Sequence, residues 1–436
     1  MMNLPLELGD GLIMRWGRAE DAEALAEFNV RIHSNDPANP ELFLGHWTRD
    51  LLSGKHPTTG PEDFTVVVDE KAGGKIVSSL CLISQTWLYE DVPFGCGRVE
   101  LVGTDPDYRR RGLVARQFAV IHARSADKEE MVQGITGIPW YYRQFGYEMA
   151  LDSHGSAHFA WGQQGKVEQE AYRWRAAADD DIHLLHTLYQ HHGQKNLINR
   201  QRNETLWRHE LNVPHEESPF RSNFYIIETN EGQSVAYVEF TQWGHNFGLR
   251  EFGVVSGHPW RPVAFFVTRA LKERADSLQA QGGKLITGIY FDFGQSHPSY
   301  DVFSDQLKPL GDPYAWYIRV PDLLSFLWHI RPVLQRRLAA SFMAGYSGTL
   351  RLNFYRHHLA LTFDRGHLTL ISPFNPARVE DGDARFPDLT FLQLLFGRRS
   401  LAALRQAFPD CWATGEAAVV LNILFPQRHS QLVPLG

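Results

Sequence analysis

The chain has 436 residues, 43% hydrophobic and 21% charged, a length that suggests two to four domains and enough apolar material for several cores. A net charge of −7 argues against a nucleic-acid binder that works by counterion release and is compatible with a cationic, amine-bearing substrate. The three cysteines, Cys81, Cys96 and Cys411, make no disulfide framework and fit a reducing cytoplasm, and no apolar run of about 18 residues is present to span a membrane.

In chain order, "MMNLPLELGDGL" lacks the basic region and long apolar run of a signal peptide. "RWGRAEDAEAL", from Arg15, leads into a helical pattern with acidic residues in its first turn. "DFTVVVDEKAGGKIVSSLCLI" reads as two strands about a Gly-Gly turn. Val99 to Thr104 reads as a strand, "DPDYRRRG" as a turn containing Pro106, and Leu113, Val114, Phe118 and Ile121 recur at helical spacing.

A run of arginines is usually a solvated face. Here it lies between a strand and a helix, and Gly112 marks a place where the backbone bends sharply or passes close to something. The first amides of a helix have no intrahelical acceptors and, with the helix dipole, make an anion site. Arg109, Arg110 and Arg111 add charge and bidentate donors, so a pyrophosphate is the ligand this chemistry suits. A further strand-like run ends near Thr136, and "YYRQFGY" follows it.

The pattern then returns. "RWRAAADDDIHLL", from Arg173, shares Arg-Trp-x-x-Ala-x-Asp with the stretch from Arg15, and "SNFYIIETNEGQSVAYVEF" again reads as two strands about a turn. A second copy of one domain is expected. Where its anion turn should stand is "GVVSGHPWRPVAFFVTRAL", with no arginine-rich turn before the helix. After "YAWYIRVPDLL" the reading changes. Leu350, Leu352 and Phe354, then Leu359, Leu361 and Phe363, then Leu368 and Leu370 alternate, with Asp364-Arg365-Gly366 as a hairpin turn. Asp388 is placed to cap a helix, Gly397 to end it, and Ser400 to start another. Strands followed by short helices give a small α+β domain. The expected fold is α/β (α+β) in three domains, 1–165, 166–315 and 316–436.

The twenty histidines show no metal-ligand spacing. His191-His192 and His357-His358 are adjacent pairs whose side chains point apart, and His209 and His215 of "RHELNVPHEE" do not form HExxH, so no metal is expected.

Arg109-x-x-Gly112-x-Val114-Ala115 resembles the Arg/Gln-x-x-Gly-x-Gly/Ala motif of the GCN5-related N-acetyltransferase (GNAT) superfamily, with the last small residue displaced by one. Tyr142 to Tyr147 resembles that superfamily's Tyr-x-x-x-Gly-aromatic motif. "PDYRRRGLVA" and "YYRQFGY" are similar to the corresponding segments of the Eis (enhanced intracellular survival) family, and "DLTFLQLLFGRRSLAALRQAF" and "VVLNILFP" to its carrier-like region. The resemblance implies two tandem GNAT-like domains, each a mixed central sheet flanked by helices, the second degenerate and without CoA. It also implies a C-terminal sterol-carrier-protein-like domain and a homo-hexamer.

The resemblance further implies acetyl-CoA as acyl donor. Val102, Gly103 and Thr104 would offer backbone groups to the pantetheine, and Arg109, Arg110, Arg111, Gly112, Leu113, Val114 and Ala115 would cradle the pyrophosphate. Gly137 and Ile138 would lie beside the pantetheine near the thioester, Gly137 through its backbone alone because the family has a polar residue there. An amine attacks a thioester only when neutral, so its ammonium must lose a proton. The oxyanion needs a donor, such as a strand amide near Val102, and Tyr142 would protonate the departing thiolate. Direct transfer needs no nucleophilic cysteine. The resemblance makes the terminal carboxylate, here Gly436, the general base, and Glu100 is the internal alternative. The helix and loop after Glu27 would receive a small cationic amine, aminoglycoside- or polyamine-like. The competing readings are an acyl-CoA sensor or lipid carrier without turnover, and a protein lysine acetyltransferase.

Overall fold

The computed structural model describes residues 4–432 apart from 154, 156, 163–166, 219, 295 and 310–313. The first unit holds strands β1 (Leu6–Gly9), β2 (Leu12–Trp16), β3 (Phe64–Asp69), β4 (Lys75–Tyr89), β5 (Val92–Thr104), β6 (Val132–Ile135) and β7 (Glu148–Ser153). Its helices are α1 (Ala22–His33), α2 (Phe43–Leu52) and α3 (Leu113–Asp127). Side chains alternate across the long β4–β5 hairpin, and this sets the layers. Cys81 and Ile83 face α1 and α2 through Leu25, Phe28, Trp47 and Leu51, whereas Leu80, Leu82 and Val99 face α3 through Phe118 and Ile121.

The middle of the chain forms β8 (Ala157–Ala160), β9 (Tyr172–Ala176), α4 (Ile182–Gly193), β10 (Ile198–Arg200), α5 (Glu204–Asn212), β11 (Phe224–Thr229), β12 (Ser234–Trp243) and β13 (Asn246–Val254). It continues with α6 (Trp260–Ala280), β14 (Gly288–Phe291), α7 (Pro298–Val302), β15 (Leu307–Pro309) and β16 (Tyr314–Arg319). Its sheet runs β15-β8-β14-β13-β12-β11-β9. The parallel crossover β13–α6–β14 repeats β5–α3–β6. One ion pair marks the duplication. Arg15 grips Asp21 at 2.7 and 2.8 Å, and Arg175 grips Asp181 at 2.6 and 2.8 Å. Each aspartate also accepts a backbone N–H at 2.8 Å just ahead of its helix, from Arg18 or Ala178. The structural partner of Arg15 is therefore Arg175, two residues beyond the echo at Arg173, which pairs with Glu228 instead.

Sheet membership does not follow contiguous segments. β8 precedes residue 165 yet joins the second sheet, while β16, at residue 315, enters the first sheet between β6 and β7. Tyr317 lies opposite both Ile135 and Met149. β10 pairs with β4, Asn199 opposite Leu88. The units are laced together by strands.

The C-terminal unit comprises α8 (Leu323–His329), α9 (Arg331–Ala339), β17 (Gly348–Asn353), β18 (His358–Asp364), β19 (His367–Pro373), β20 (Ala384–Arg385), α10 (Phe391–Leu395), α11 (Leu401–Ala407), β21 (Trp412–Ala413) and α12 (Gly415–Leu424). Arg365 and Gly366, at φ 47° and 84°, make the two-residue hairpin between β18 and β19. Ser400 caps α11, accepting the Ala403 N–H at 3.2 Å. Asp388 does not cap α10: Leu389 turns left-handed at φ 65°, Thr390 takes the cap position, and Asp388 pairs with Arg356 at 3.1 Å. The core of this unit is continuous with Trp87, Tyr89 and Phe94 of the first sheet, and the Tyr89 hydroxyl donates to the Leu395 carbonyl at 2.7 Å.

Within the second unit a fully buried Arg202 holds Glu251 at 2.5 and 2.8 Å and Glu210 at 3.4 Å, sandwiched by Tyr189 and Trp207. Removing the arginine strands two buried carboxylates. Arg202→Met should cost about 3–5 kcal/mol, read as a lowered urea midpoint; an unchanged midpoint would show that the carboxylates do not need it.

Candidate active site

β5 and β6 pair only through Cys96, Gly97 and Arg98, and the last pair is Arg98 with Gly134. Beyond it β5 runs on to Thr104 without β6, so a wedge opens with backbone groups on its wall. On its other edge β5 stays paired with β4, but the register slips between Ser79 and Cys81. Leu101 absorbs the extra residue at φ 53°, a bulge that re-aims the strand at the wedge. A left-handed leucine costs on the order of 1–3 kcal/mol and persists only where its surroundings fix it.

Val102, Gly103 and Thr104 form the parted segment. Gly103 is required by α1: a Cβ there would stand 2.9 Å from Ile32 Cγ2 and 3.2 Å from His33 Nε2. Ser78 Oγ lies 3.0 Å from the Gly103 carbonyl and 2.7 Å from Gln117 Oε1, and Gln117 donates to the Thr65 carbonyl at 3.0 Å. That buried chain keys α3 to the sheet beside the wedge.

The arginine turn sits at the wedge's mouth. Asp105 starts it, accepting the Asp107 N–H at 3.2 Å while Lys75 and Arg31 hold its carboxylate at 2.8 and 3.0 Å. Arg110 and Gly112 take φ of 62° and 71°, and Gly112 stands at the N-cap of α3 with no side chain to satisfy the first amides. Arg116 is the first residue to bond back, to Gly112, which leaves the Leu113, Val114 and Ala115 N–H groups for a ligand. Leu113 is buried, while Arg109, Arg110, Arg111, Gly112 and Ala115 are exposed. Arg109 Nε reaches the Thr104 carbonyl at 3.4 Å and Arg111 lies over the Tyr108 ring; among the described residues no carboxylate pairs with these three arginines. Free amides, a helix dipole and three uncompensated charges make an anion site. In the second unit Val255–Pro259 joins β13 to α6 without an arginine, and Pro262 removes an amide from the first turn.

Tyr142 stands in a short 3-10 helix, Tyr141–Phe145, between left-handed Trp140 (φ 69°) and Gly146 (φ 84°). It is buried against Phe118 and Tyr317, ring centroids 5.9 and 5.4 Å away. A Cβ at Gly137 would lie 2.6 Å from Tyr142 Cε2, so a side chain at 137 and this ring compete for one space. Burial pushes the Tyr142 phenol well above its usual range and the nearby Glu100 carboxylate adds to it, so the phenol stays protonated. Glu100, one residue before the bulge, accepts from Arg98 Nε at 2.8 Å. Burial raises its carboxyl above the ordinary value, against the pull of Arg98. Arg98 lies between Phe220 of the second unit and Trp316 of β16. Ile138 is exposed, and the Gly137 and Ile138 carbonyls accept from the Tyr314 and Tyr317 hydroxyls at 2.7 and 3.4 Å.

Gly436 lies outside the described residues. The tail before it follows β10, the His429 carbonyl accepting the Leu197 N–H at 2.9 Å, and the Gln431 amide donates to Arg250 and Asp292 carbonyls at 3.0 and 3.2 Å. All three cysteines are buried and free; burial holds the Cys81 and Cys96 thiols well above their usual range and pushes Cys411 up to about 12, so none offers a thiolate.

One group of three metal-capable side chains, His46, His215 and Glu217, meets among the described residues. The imidazoles stack 4.0 Å apart and 6° from parallel, a geometry in which no single ion lies in both ring planes. His215 Nδ1 already accepts the Glu217 N–H at 3.2 Å. As placed, the group is an imidazole stack with a Glu217 carboxylate oxygen 3.1 Å from His46 Nε2, joining α2 to the second unit. The helix and loop after Glu27 line a cleft of about 410 Å³ with Val30, Arg31, Ser34, His46 and Arg49. It lies across α1 from the wedge, because Phe28, Ile32 and His33 take the strand side.

Sequence reasoning missed Tyr314 and Tyr317, which it read as a domain boundary, and Arg98 and Phe220. The available signal was the alternation in "YAWYIR", which marks a strand.

Residues 39–150 match the family model described as the acetyltransferase (GNAT) domain. A probable N-acyltransferase of Enterococcus faecalis V583 superposes with TM-score 0.68 at 14% identity, over 98% of this chain and 100% of that one. A GCN5-related N-acetyltransferase of Anabaena variabilis ATCC 29413 gives 0.65 at 13% identity, over 98% and 100%. Eis1 of Mycobacterium abscessus gives 0.61 at 13% identity, over 96% and 99%. Comparison with curated proteins found no match. The class is thus an acyltransferase, assigned through the match of residues 39–150 to a GNAT domain, which works on an acyl-CoA. More particularly, residues 39–150 are its acetyltransferase domain, and the likeness of fold extends over nearly all of the chain. No helix among the described residues is long and apolar enough to cross a membrane.

The Gly137–Tyr142 contact is directly testable. Gly137→Ala should force the Tyr142 ring aside and destabilise the protein by about 1–3 kcal/mol, as overpacking does; an unchanged melting temperature would mean that the ring has room to move.

Proposed function

We propose that the first unit transfers the acetyl group of acetyl-CoA directly to the primary amine of a small cationic acceptor, aminoglycoside- or polyamine-like. The observation that carries this is the meeting, at one wedge, of an anion turn, an unpaired strand edge, a buried protonated tyrosine and a carboxylate. The pyrophosphate rests on the Leu113, Val114 and Ala115 amides with Arg109, Arg110 and Arg111 around it, and Gly112 keeps the approach clear. The pantetheine arm lies along Val102, Gly103 and Thr104, with Gly137 and Ile138 opposite.

Glu100 takes a proton from the acceptor's ammonium, or the Gly436 carboxylate does so if the tail reaches this site. The neutral nitrogen attacks the thioester carbonyl, and a strand amide near Val102 meets the oxyanion. As the C–N bond forms and the C–S bond breaks, the Tyr142 phenol gives its proton to the thiolate, and the excess proton on the acylated nitrogen passes to the tyrosinate, which leaves the neutral amide and restores the phenol. Burial suits both groups: it raises the basicity of Glu100 and keeps the phenol neutral. The second unit acts as a wall, placing Phe220 on Trp47 and over Arg98. Free, buried cysteines fit a cytoplasmic setting. The hexamer and the sterol-carrier-like character of the C-terminal unit complete the proposal by their Eis resemblance.

The test is CoA release from acetyl-CoA against amines, polyamines, aminoglycosides and lysine peptides. Amine-dependent release should fall roughly 10²-fold or more in Tyr142→Phe, within the range for a lost general acid. In wild type kcat/KM should rise with pH through a carboxyl value above the ordinary one and show no alkaline fall near 10, because Tyr142 ionises later. Glu100→Gln should remove that rise. No release with any amine, alongside proven acetyl-CoA binding, would make the protein a sensor, and full activity in Tyr142→Phe would assign the acid elsewhere.

A further inference from the structure

The β16–β6 ladder ends at Ile135, opposite Tyr317, but the bonding between these segments does not. Past that point side-chain hydroxyls of β16 replace its backbone. The Tyr317 hydroxyl accepts the Trp140 N–H at 2.6 Å and donates to the Ile138 carbonyl at 3.4 Å, and the Tyr314 hydroxyl donates to the Gly137 carbonyl at 2.7 Å. Three bonds from two tyrosines thus clamp the whole stretch from Gly137 to Trp140.

That stretch decides where Tyr142 sits. Gly137 touches one side of the Tyr142 ring and Tyr317 packs on it, centroid to centroid, at 5.4 Å. Trp140, immediately ahead of the 3-10 helix, holds a left-handed backbone that a tryptophan does not prefer. Its own side chain is 73% exposed, so it takes little anchorage from the core, although Arg143 lies over its ring. The group that fixes its amide is the Tyr317 hydroxyl, on a side chain that is itself fully buried.

We infer that Tyr317 is a positioning residue for Tyr142. Its hydroxyl sets the Gly137–Trp140 stretch and its ring backs the phenol, so the first unit's chemistry depends on a strand supplied from beyond the second unit. This rests on the reading of Tyr142 as the acid. The fold explains the arrangement: β16 fills the gap between β6 and β7 and is the only route by which β7 joins the sheet among the described residues.

The experiment is a double-mutant cycle in the full-length chain, with acetyl-CoA and whichever of spermidine, kanamycin or a lysine peptide supports turnover. Tyr317→Phe removes the hydroxyl and keeps the ring. It should lower kcat roughly 10- to 100-fold, the scale of a misplaced catalytic group, with little change in KM for acetyl-CoA. Combined with Tyr142→Phe it should cost nothing further, because it acts only through that phenol. Losses that multiply in the double variant, or full kcat in Tyr317→Phe, overturn the inference while leaving Tyr142 as the acid. Full kcat in Tyr142→Phe overturns that reading and this inference with it. If Tyr317→Phe does not give a cooperative melt, Tyr314→Phe serves: it loses only the Gly137 bond, and a smaller fall in kcat that vanishes on a Tyr142→Phe background is expected. Undiminished kcat there, or multiplying losses, counts against the clamp.

Discussion

Everything at the candidate site depends on one interrupted ladder. Two parallel strands stop pairing after Arg98 and Gly134, and β5 continues for another turn of backbone donors and acceptors that no strand takes up. In a folded core such groups are expensive to leave unpaired, so the gap is a place built for a ligand with an extended, amide-bearing arm. The Leu101 bulge turns the strand into the gap, and the arginine turn closes one end with charge. Tyr142, a buried phenol that stays protonated, packs beside the same strand. Each element is ordinary, and the parting of the strands is what makes them converge.

The second unit keeps the crossover that places such a site and lacks the residues that would charge it. Its connection between β13 and α6 is short, without arginine, and followed by Pro262. Meanwhile it supplies parts to its neighbour: β10 beside β4, and Phe220 against Trp47. β8 travels the other way. The C-terminal unit shares a continuous core with Trp87 and Tyr89. Strand exchange and a shared core join the three units, which is why a residue as distant in sequence as Tyr317 touches Tyr142.

Much of this was legible in the chain because it is local. The strand, turn and helix from Val99 to Phe118 follow from alternation, a proline turn and helical spacing, and the anion site follows from which amides such a helix leaves free. The duplication was visible at Arg15 and Arg173, but its register was not: the ion pair that the fold repeats uses Arg175, and only the strand's position relative to the helix decides which arginine reaches the aspartate. Asp388 had the right chemistry for a cap and lost the place to Thr390 through one left-handed leucine. β16 was invisible as a functional strand because its partners lie far away in sequence, and the spacing of apolar residues says that a strand exists but not which sheet receives it. Gly137 read as a contact through its backbone alone, and in the fold it is also the room that Tyr142 occupies.

The central claim is that the turn from Arg109 to Ala115 holds the diphosphate of a CoA thioester in the wedge beside β5. Calorimetric titration of acetyl-CoA into the full-length protein, wild type against Arg110→Glu/Arg111→Glu, tests it most directly, since both side chains are exposed. One saturable site per chain is expected in wild type, weakened at least roughly tenfold when the two charges are reversed, as where paired phosphate contacts turn repulsive. No binding to wild type, or the same affinity in the reversed variant, would contradict it.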